Sequence, residues 1–113
     1  TMKLSKQSEK KLFDLHAEIC KVFANPKRLE ILNAIREKEL TVSELVEALG
    51  VRKANVSQHL AVLRQKGVVH TRRDGLNICY SISDPKIIEA CDLMRKVLLK
   101  QLREGERLIR RKK

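Results

Sequence analysis

A chain of 113 residues that is 42% hydrophobic can bury one modest core, and with three aromatic side chains that core must come from Leu, Ile and Val. Residues 1–113 are therefore read as a single domain. The longest apolar run, residues 60–63, is far short of the roughly 20 that cross a bilayer, and no signal-peptide core opens the chain, so a soluble, cytoplasmic protein without membrane partners is expected. The net charge of +11 suits a polyanionic partner. No Ser/His/Asp set, carboxylate pair or glycine-rich phosphate loop accompanies it, which argues against an enzyme, and no cofactor is implied.

Leu12, Leu15, Ile19 and Val22 or Phe23 recur at helical spacing, giving a first helix that ends at Asn25-Pro26. Asn25 caps a second helix and Pro26 takes its first turn, where a missing N–H costs nothing. Thr41-Val42-Ser43-Glu44 fits a capping box, with Leu40 and Leu45 placed to close a hydrophobic staple. The short third helix runs through Leu45, Val46 and Leu49 to Gly50, which suits a helix end and a sharp turn. Residues 54–66 then place Val56, Leu60 and Leu63 on one stripe and point Ser57, Gln58, His59, Arg64 and Lys66 elsewhere, a fourth helix stopped by Gly67. Residues 68–73 read as a strand, Asp74-Gly75 as a tight turn, and Ile78, Tyr80 and Ile82 alternate along a second strand, leaving Cys79 facing away from the core. Asp84-Pro85 repeats the cap-and-proline device. Ile87, Cys91, Met94, Leu98 and Leu102 follow along a last helix of about 20–25 residues. The expected fold is mainly α with a small β-hairpin wing: four helices, two strands and a last helix, with residues 41–66 as a helix-turn-helix and 68–83 as the wing. Residues 110–113 form a basic tail expected to be disordered.

The charge is unevenly placed. Residues 51–75 hold six Lys/Arg against one Asp and residues 103–113 six against two, whereas residues 26–50 hold four against five. Neutralising phosphates releases counterions and supplies most sequence-independent affinity for duplex DNA. On the fourth helix Ser57, Gln58 and His59 open the outer face. Gln58 suits bidentate pairing with adenine, and Ser and His can donate to bases or phosphates. Lys53 and Asn55 would meet phosphates at the helix N-terminus. Arg64 adds positive charge on the same helix, and Arg72 and Arg73 flank the wing tip, within reach of backbone or minor groove.

Together with Ala-Asn-Pro-Lys-Arg-Leu-Glu-Ile-Leu at 24–32, these residues make the chain resemble an ArsR/SmtB-type winged-helix transcriptional repressor over roughly residues 15–100. The resemblance rests on Pro-x-Arg-Leu-x-Ile-Leu at 26–32, Val-Ser-Gln-His-Leu at 56–60, Arg-Arg-Asp-Gly at 72–75 and Tyr-Ser-Ile-Ser-Asp-Pro at 80–85, in that order. It implies a homodimer joined through the first and last helices, residues 2–24 and 85–109, with two recognition helices about 34–36 Å apart. It also implies an inverted-repeat operator in double-stranded DNA and a small inducer of unknown identity. Many relatives have a capping Ser where this chain has Arg52. The Cys-x-Cys pair of relatives that bind soft metals or arsenic falls on Thr41 and Ser43. The last-helix zinc ligands of others fall on Asp84, Lys86, Val97 and Lys100, without a histidine. The second-helix cysteine of persulfide sensors falls on Asn33, leaving Cys91 as the only possible counterpart of their last-helix cysteine.

Because the first and last helices pack together in that family, Cys20 and Cys91 are expected to be close. Three readings of them stand open: small buried apolar residues, a thiol redox or persulfide switch, or, with His16 one turn before Cys20, a thiophilic metal site. Cys79 reads as a plain strand residue. A rival functional class also stands open, a non-specific architectural nucleic-acid-binding protein, which would bind all duplexes alike.

Overall fold

The computed structural model describes residues 3–111, with side chains to residue 106, so Lys112 and Lys113 of the expected basic tail lie outside the described residues. The chain divides into two units, Thr1–Ser83 and Asp84–Lys113. The first holds α1 (Lys6–Phe23), α2 (Pro26–Ala34), β1 (Leu40–Thr41), α3 (Val42–Leu49), α4 (Lys53–Gln65), β2 (Val69–Asp74) and β3 (Asn77–Ile82); the second is α5 (Pro85–Arg111). α5 therefore includes Arg110 and Arg111, which the sequence assigns to a disordered tail. Among the described residues no helix is long and apolar enough to cross a membrane.

Local chemistry starts α2, α3 and α5. Asn25 Oδ1 accepts from the backbone N–H of Arg28 at 3.2 Å, and Pro26 takes the first helical position of α2. The capping box of α3 is complete: Glu44 N–H donates to Thr41 Oγ1 at 3.2 Å and Thr41 N–H to Glu44 Oε1 at 3.0 Å. At α5, Asp84 Oδ1 accepts from Lys86 N–H at 2.9 Å. α4 has only Arg52 at its N-cap, with no side-chain cap bond, and still begins at Lys53. Its three buried side chains hold it there, because tertiary packing outweighs a missing cap. Its end is a Schellman closure, in which Gly67 takes φ +72 and Val68 N–H donates to Leu63 O at 2.9 Å.

Val22, Ile31, Leu32, Ile35, Leu40, Leu45, Val56, Leu60, Leu63, Val68 and Val69 form the core of the first unit. Each fully buried aliphatic side chain contributes about 1.5–3 kcal/mol. Leu40 and Leu45, the expected staple, are both among them. Of the α1 stripe, only Val22 is buried, whereas Leu12 and Leu15 are exposed.

The sheet is antiparallel in the order β1-β3-β2. The sequence reading misses β1, which is two residues long, too short for any periodic pattern; it pairs Leu40 with Tyr80 and Thr41 with Cys79. The turn is also displaced by one residue. Asp74 pairs with Asn77, so Gly75 and Leu76 occupy the centre. With φ +62 at Gly75 and no positive φ at Leu76, the turn has the type II′ pattern, which demands glycine at its first central position. Ser83 ties the base of the wing to the end of α4, donating from Oγ to Gly67 O at 2.7 Å and from N–H to Val68 O at 3.0 Å.

The alternation expected along β3 holds only in part. Tyr80 and Ile82 are half-buried, but Ile78, near the tip, is exposed. Cys79, on the opposite face, is 7% exposed. The face it points to is covered by the arm of Arg72, its register partner, whose Nη2 lies 3.9 Å from the cysteine sulfur.

Candidate nucleic-acid interface

The site grows from α4. Val56, Leu60 and Leu63 are buried, so the opposite arc of the helix is turned outward, and Lys53, Asn55, Ser57, Gln58 and Arg64 are all exposed. At 100° per residue Gln58 is near the centre of that arc, with Ser57 and Asn55 on its shoulders. Gln65, two turns after Gln58, shares its face and is exposed. The sequence reading misses it, although the seven-residue spacing was visible. A polar, exposed arc whose helix N-terminus carries Lys53 offers donors and acceptors to base edges and positive charge to phosphates.

His59 stands apart from that arc. It is half-buried on the flank of α4, and its Nδ1 accepts from Arg28 Nε at 3.3 Å. Burial first, and the Arg28 charge second, hold the imidazole below its ordinary pKa. Arg28 also donates from Nη1 to the carbonyl of Val22 at 3.2 Å, closing one of the last carbonyls of α1.

On the wing the two arginines part ways. Arg72 is engaged in a bidentate pair with Glu39, which precedes β1: Nε lies 3.1 Å from each carboxylate oxygen, and Nη2 also donates to Oε1. The Arg72 hydrogen bond holds the Glu39 carboxyl below its usual range, and Glu39 raises Arg72 further above its own. Arg73 leaves the other face of β2 and is exposed. Lys66, at the end of α4, pairs with Glu18 of α1 at 3.7 Å.

The sensing candidates are placed element by element. Cys20 is exposed on α1, with His16 exposed one turn earlier, and Cys91 is half-buried on α5. Among the described residues no group of three or more His, Cys, Asp or Glu side chains is gathered so as to hold a metal ion.

A short helix, a tight turn, a second helix with a polar outer arc and a β-hairpin beside it define a winged helix-turn-helix DNA-binding module. Residues 25–71 match the family described as bacterial regulatory protein, arsR family. The chain is 44% identical over 92 residues to the HTH-type transcriptional regulator Rv0081 of Mycobacterium tuberculosis, spanning 80% of this chain and 81% of that protein. It is 42% identical over 72 residues to the transcriptional repressor PagR of Bacillus anthracis, spanning 63% and 72%. The crystal structure of Rv0081 superposes with a TM-score of 0.75 at 42% identity, covering 82% of this chain and 94% of that one. A solution structure from Mycobacterium bovis, described as a homodimeric winged helix-turn-helix DNA-binding domain, gives 0.77 at 27% identity, covering 90% and 94%. The chain belongs to the arsR family of bacterial regulatory proteins. It is a DNA-binding transcriptional regulator, and its relatives are regulators, not enzymes.

Proposed function

We propose that this chain is a homodimeric repressor that binds an inverted-repeat operator, with α4 of each protomer in the major groove and the wing against the neighbouring backbone, and that an inducer releases it. The observation that carries the reading is the exposed arc of α4: Lys53, Asn55, Ser57 and Gln58 face outward from a helix locked by three buried side chains. In this reading Gln58 reads a base, Lys53 and Asn55 contact phosphates at the helix N-terminus, and Arg73 contacts backbone from the wing. Repression has a precedent in PagR, described as a repressor, whereas the similar HlyU of Vibrio cholerae is described as an activator. Reporter expression with and without the protein decides between them. A DNA target places the protein in the cytoplasm.

The dimer reading is supported by exposed apolar side chains on both helices assigned to it. On α1 Phe13 is 71% exposed, and on α5 Leu102 is 65% exposed. Such surface on long helices is what a second copy would cover. For sensing, our candidates are Cys20, the exposed thiol of the first unit, and Cys91 of α5.

The test is titration of the protein against the duplex upstream of its own gene and against a shuffled duplex, at about 0.15 M salt, where electrostatic binding is moderated. Two protomers per site and a preference of orders of magnitude for the upstream duplex are expected. Equal binding to all duplexes overturns the repressor reading in favour of an architectural protein. If Cys20→Ser and Cys91→Ser variants release DNA on persulfide treatment as the parent does, the cysteines are not the sensor.

A further inference from the structure

Arg28 lies on α2, away from the outward arc of α4, yet it makes three fixed contacts. Its backbone N–H donates to Asn25 Oδ1 at 3.2 Å, its Nη1 to the Val22 carbonyl at 3.2 Å, and its Nε to His59 Nδ1 at 3.3 Å. A guanidinium only donates and does not deprotonate in proteins, so Nδ1 of His59 must present its lone pair. The neutral ring then carries its proton on Nε2. Putting a second proton on Nδ1 would set two donors against each other. Burial and the Arg28 charge disfavour that protonation as well.

Among the described residues Nε2 has no hydrogen-bond partner, and no buried side-chain nitrogen or oxygen is left unsatisfied there, so Nε2 of the half-buried ring keeps contact with solvent. Its position on α4 decides what it can reach. Gln58 is near the centre of the outward arc, while His59 is 100° further round, between that arc and the buried stripe. For a helix in a major groove, central positions face base edges and flank positions face the phosphate walls.

We infer that Arg28 is a positioning residue for DNA binding: by accepting no proton and donating to Nδ1, it fixes His59 as a neutral Nε2–H donor aimed at a backbone phosphate oxygen on the groove wall. The inference rests on the reading that α4 occupies the major groove. A neutral donor contributes affinity without releasing a counterion, which separates His59 from Lys53 and Arg73. It also gives the Arg of the Pro-x-Arg-Leu run a task that crosses three elements, joining the end of α1 to the recognition helix.

The test has an arm without DNA and an arm with it. Two-bond 1H–15N correlations on the free protein at neutral pH should show His59 as the Nε2–H tautomer, and Arg28→Met should release it to a tautomer mixture. Titration of the upstream and shuffled duplexes should show His59→Ala weakening both alike, roughly 3- to 10-fold, the worth of one hydrogen bond, with the salt slope unchanged. Arg28→Met should cost about the same, and the double variant no more than either single one. His59→Gln, whose amide nitrogen stands near the place of Nε2, should restore most of the affinity. An Nδ1–H tautomer or an imidazolium in the free parent overturns the inference, as does a loss from Arg28→Met that persists undiminished in the His59→Ala background. Should Arg28→Met unfold, the tautomer of the parent and the His59→Ala and His59→Gln pair still decide it. If the parent binds no duplex at all, the placement of α4 falls and the phosphate contact with it; a parent that binds while the cycle is additive sinks the inference alone.

Discussion

Neighbours on β2, Arg72 and Arg73 leave opposite faces of the wing and so differ in what they can offer DNA. Arg72 is held by Glu39 and roofs Cys79, whereas Arg73 is exposed. Arg73→Ala should weaken binding to every duplex alike and reduce the salt slope by about one unit, as expected for one lost phosphate contact. Arg72→Ala should change the slope less, because DNA must compete with a carboxylate already in place. Equal slopes for the two variants in salt titrations would remove the distinction. Gln58→Ala should instead relax base preference at one operator position by about 1–3 kcal/mol, read from a panel of single-substitution operators; an unchanged profile removes Gln58 as the base reader. Thiol chemistry separates by access: timed alkylation followed by mass spectrometry should modify Cys20 quickly and Cys79 only on unfolding, and rapid modification of Cys79 in the folded protein would contradict its cover. The charge of the two arginines was legible in the sequence, but their difference was not. Arg72 meets Glu39 from 33 residues away and His59 meets Arg28 from 31 away, separations across which no periodicity carries information.

Elements whose limits are set by neighbours in sequence were the legible ones. The Thr41–Glu44 box, the Asn25-Pro26 start and the Asp84 cap each need only three or four residues, and each forms as the spacing predicts. β1 was illegible because its two residues become a strand only by pairing with β3, and the turn was misplaced by one residue because register is a property of two strands. Two predictions belong at this scale. Gly75→Ala forces a side chain into φ +62 and should cost about 1–2 kcal/mol in urea unfolding with the denaturant slope unchanged; no cost would deny the type II′ turn. Glu44 has a lowered folded pKa, caused first by the backbone N–H of Thr41 and then by its hydroxyl. A carboxyl lowered in the folded state stabilises above its unfolded pKa and loses that contribution as pH falls through the folded value. Glu44→Gln should therefore melt earlier than the parent at neutral pH and converge with it in acid. A constant gap between the two melting curves at all pH values would deny the box its electrostatic part.

For the whole molecule the open question is what covers the apolar side chains that neither unit buries. α5 is 27 residues long, about 40 Å at 1.5 Å per residue. It exposes Leu93, Met94, Val97, Leu98 and Leu102, while α1 exposes Leu12, Phe13 and Leu15. Helices in proteins owe most of their stability to packing of an apolar face, so a helix of this length with that face in water is incomplete alone. A second copy would complete it, at the cost of bringing together two chains that each carry +11. This charge gives the dimer a signature of its own. Salt screens the mutual repulsion over a Debye length of about 10 Å at 0.1 M, so raising salt should tighten protomer association, whereas the same salt weakens DNA binding by reducing the gain from counterion release. Leu98→Asp places a charge in the middle of the α5 stripe. In sedimentation at micromolar concentration it should shift the protein to monomer while the helical circular dichroism of the first unit persists, and operator affinity should fall to that of a single half-site. A Leu98→Asp protein that remains dimeric would show that α5 is not the seam, and a parent whose dimer loosens with salt would show that apolar burial does not hold it together.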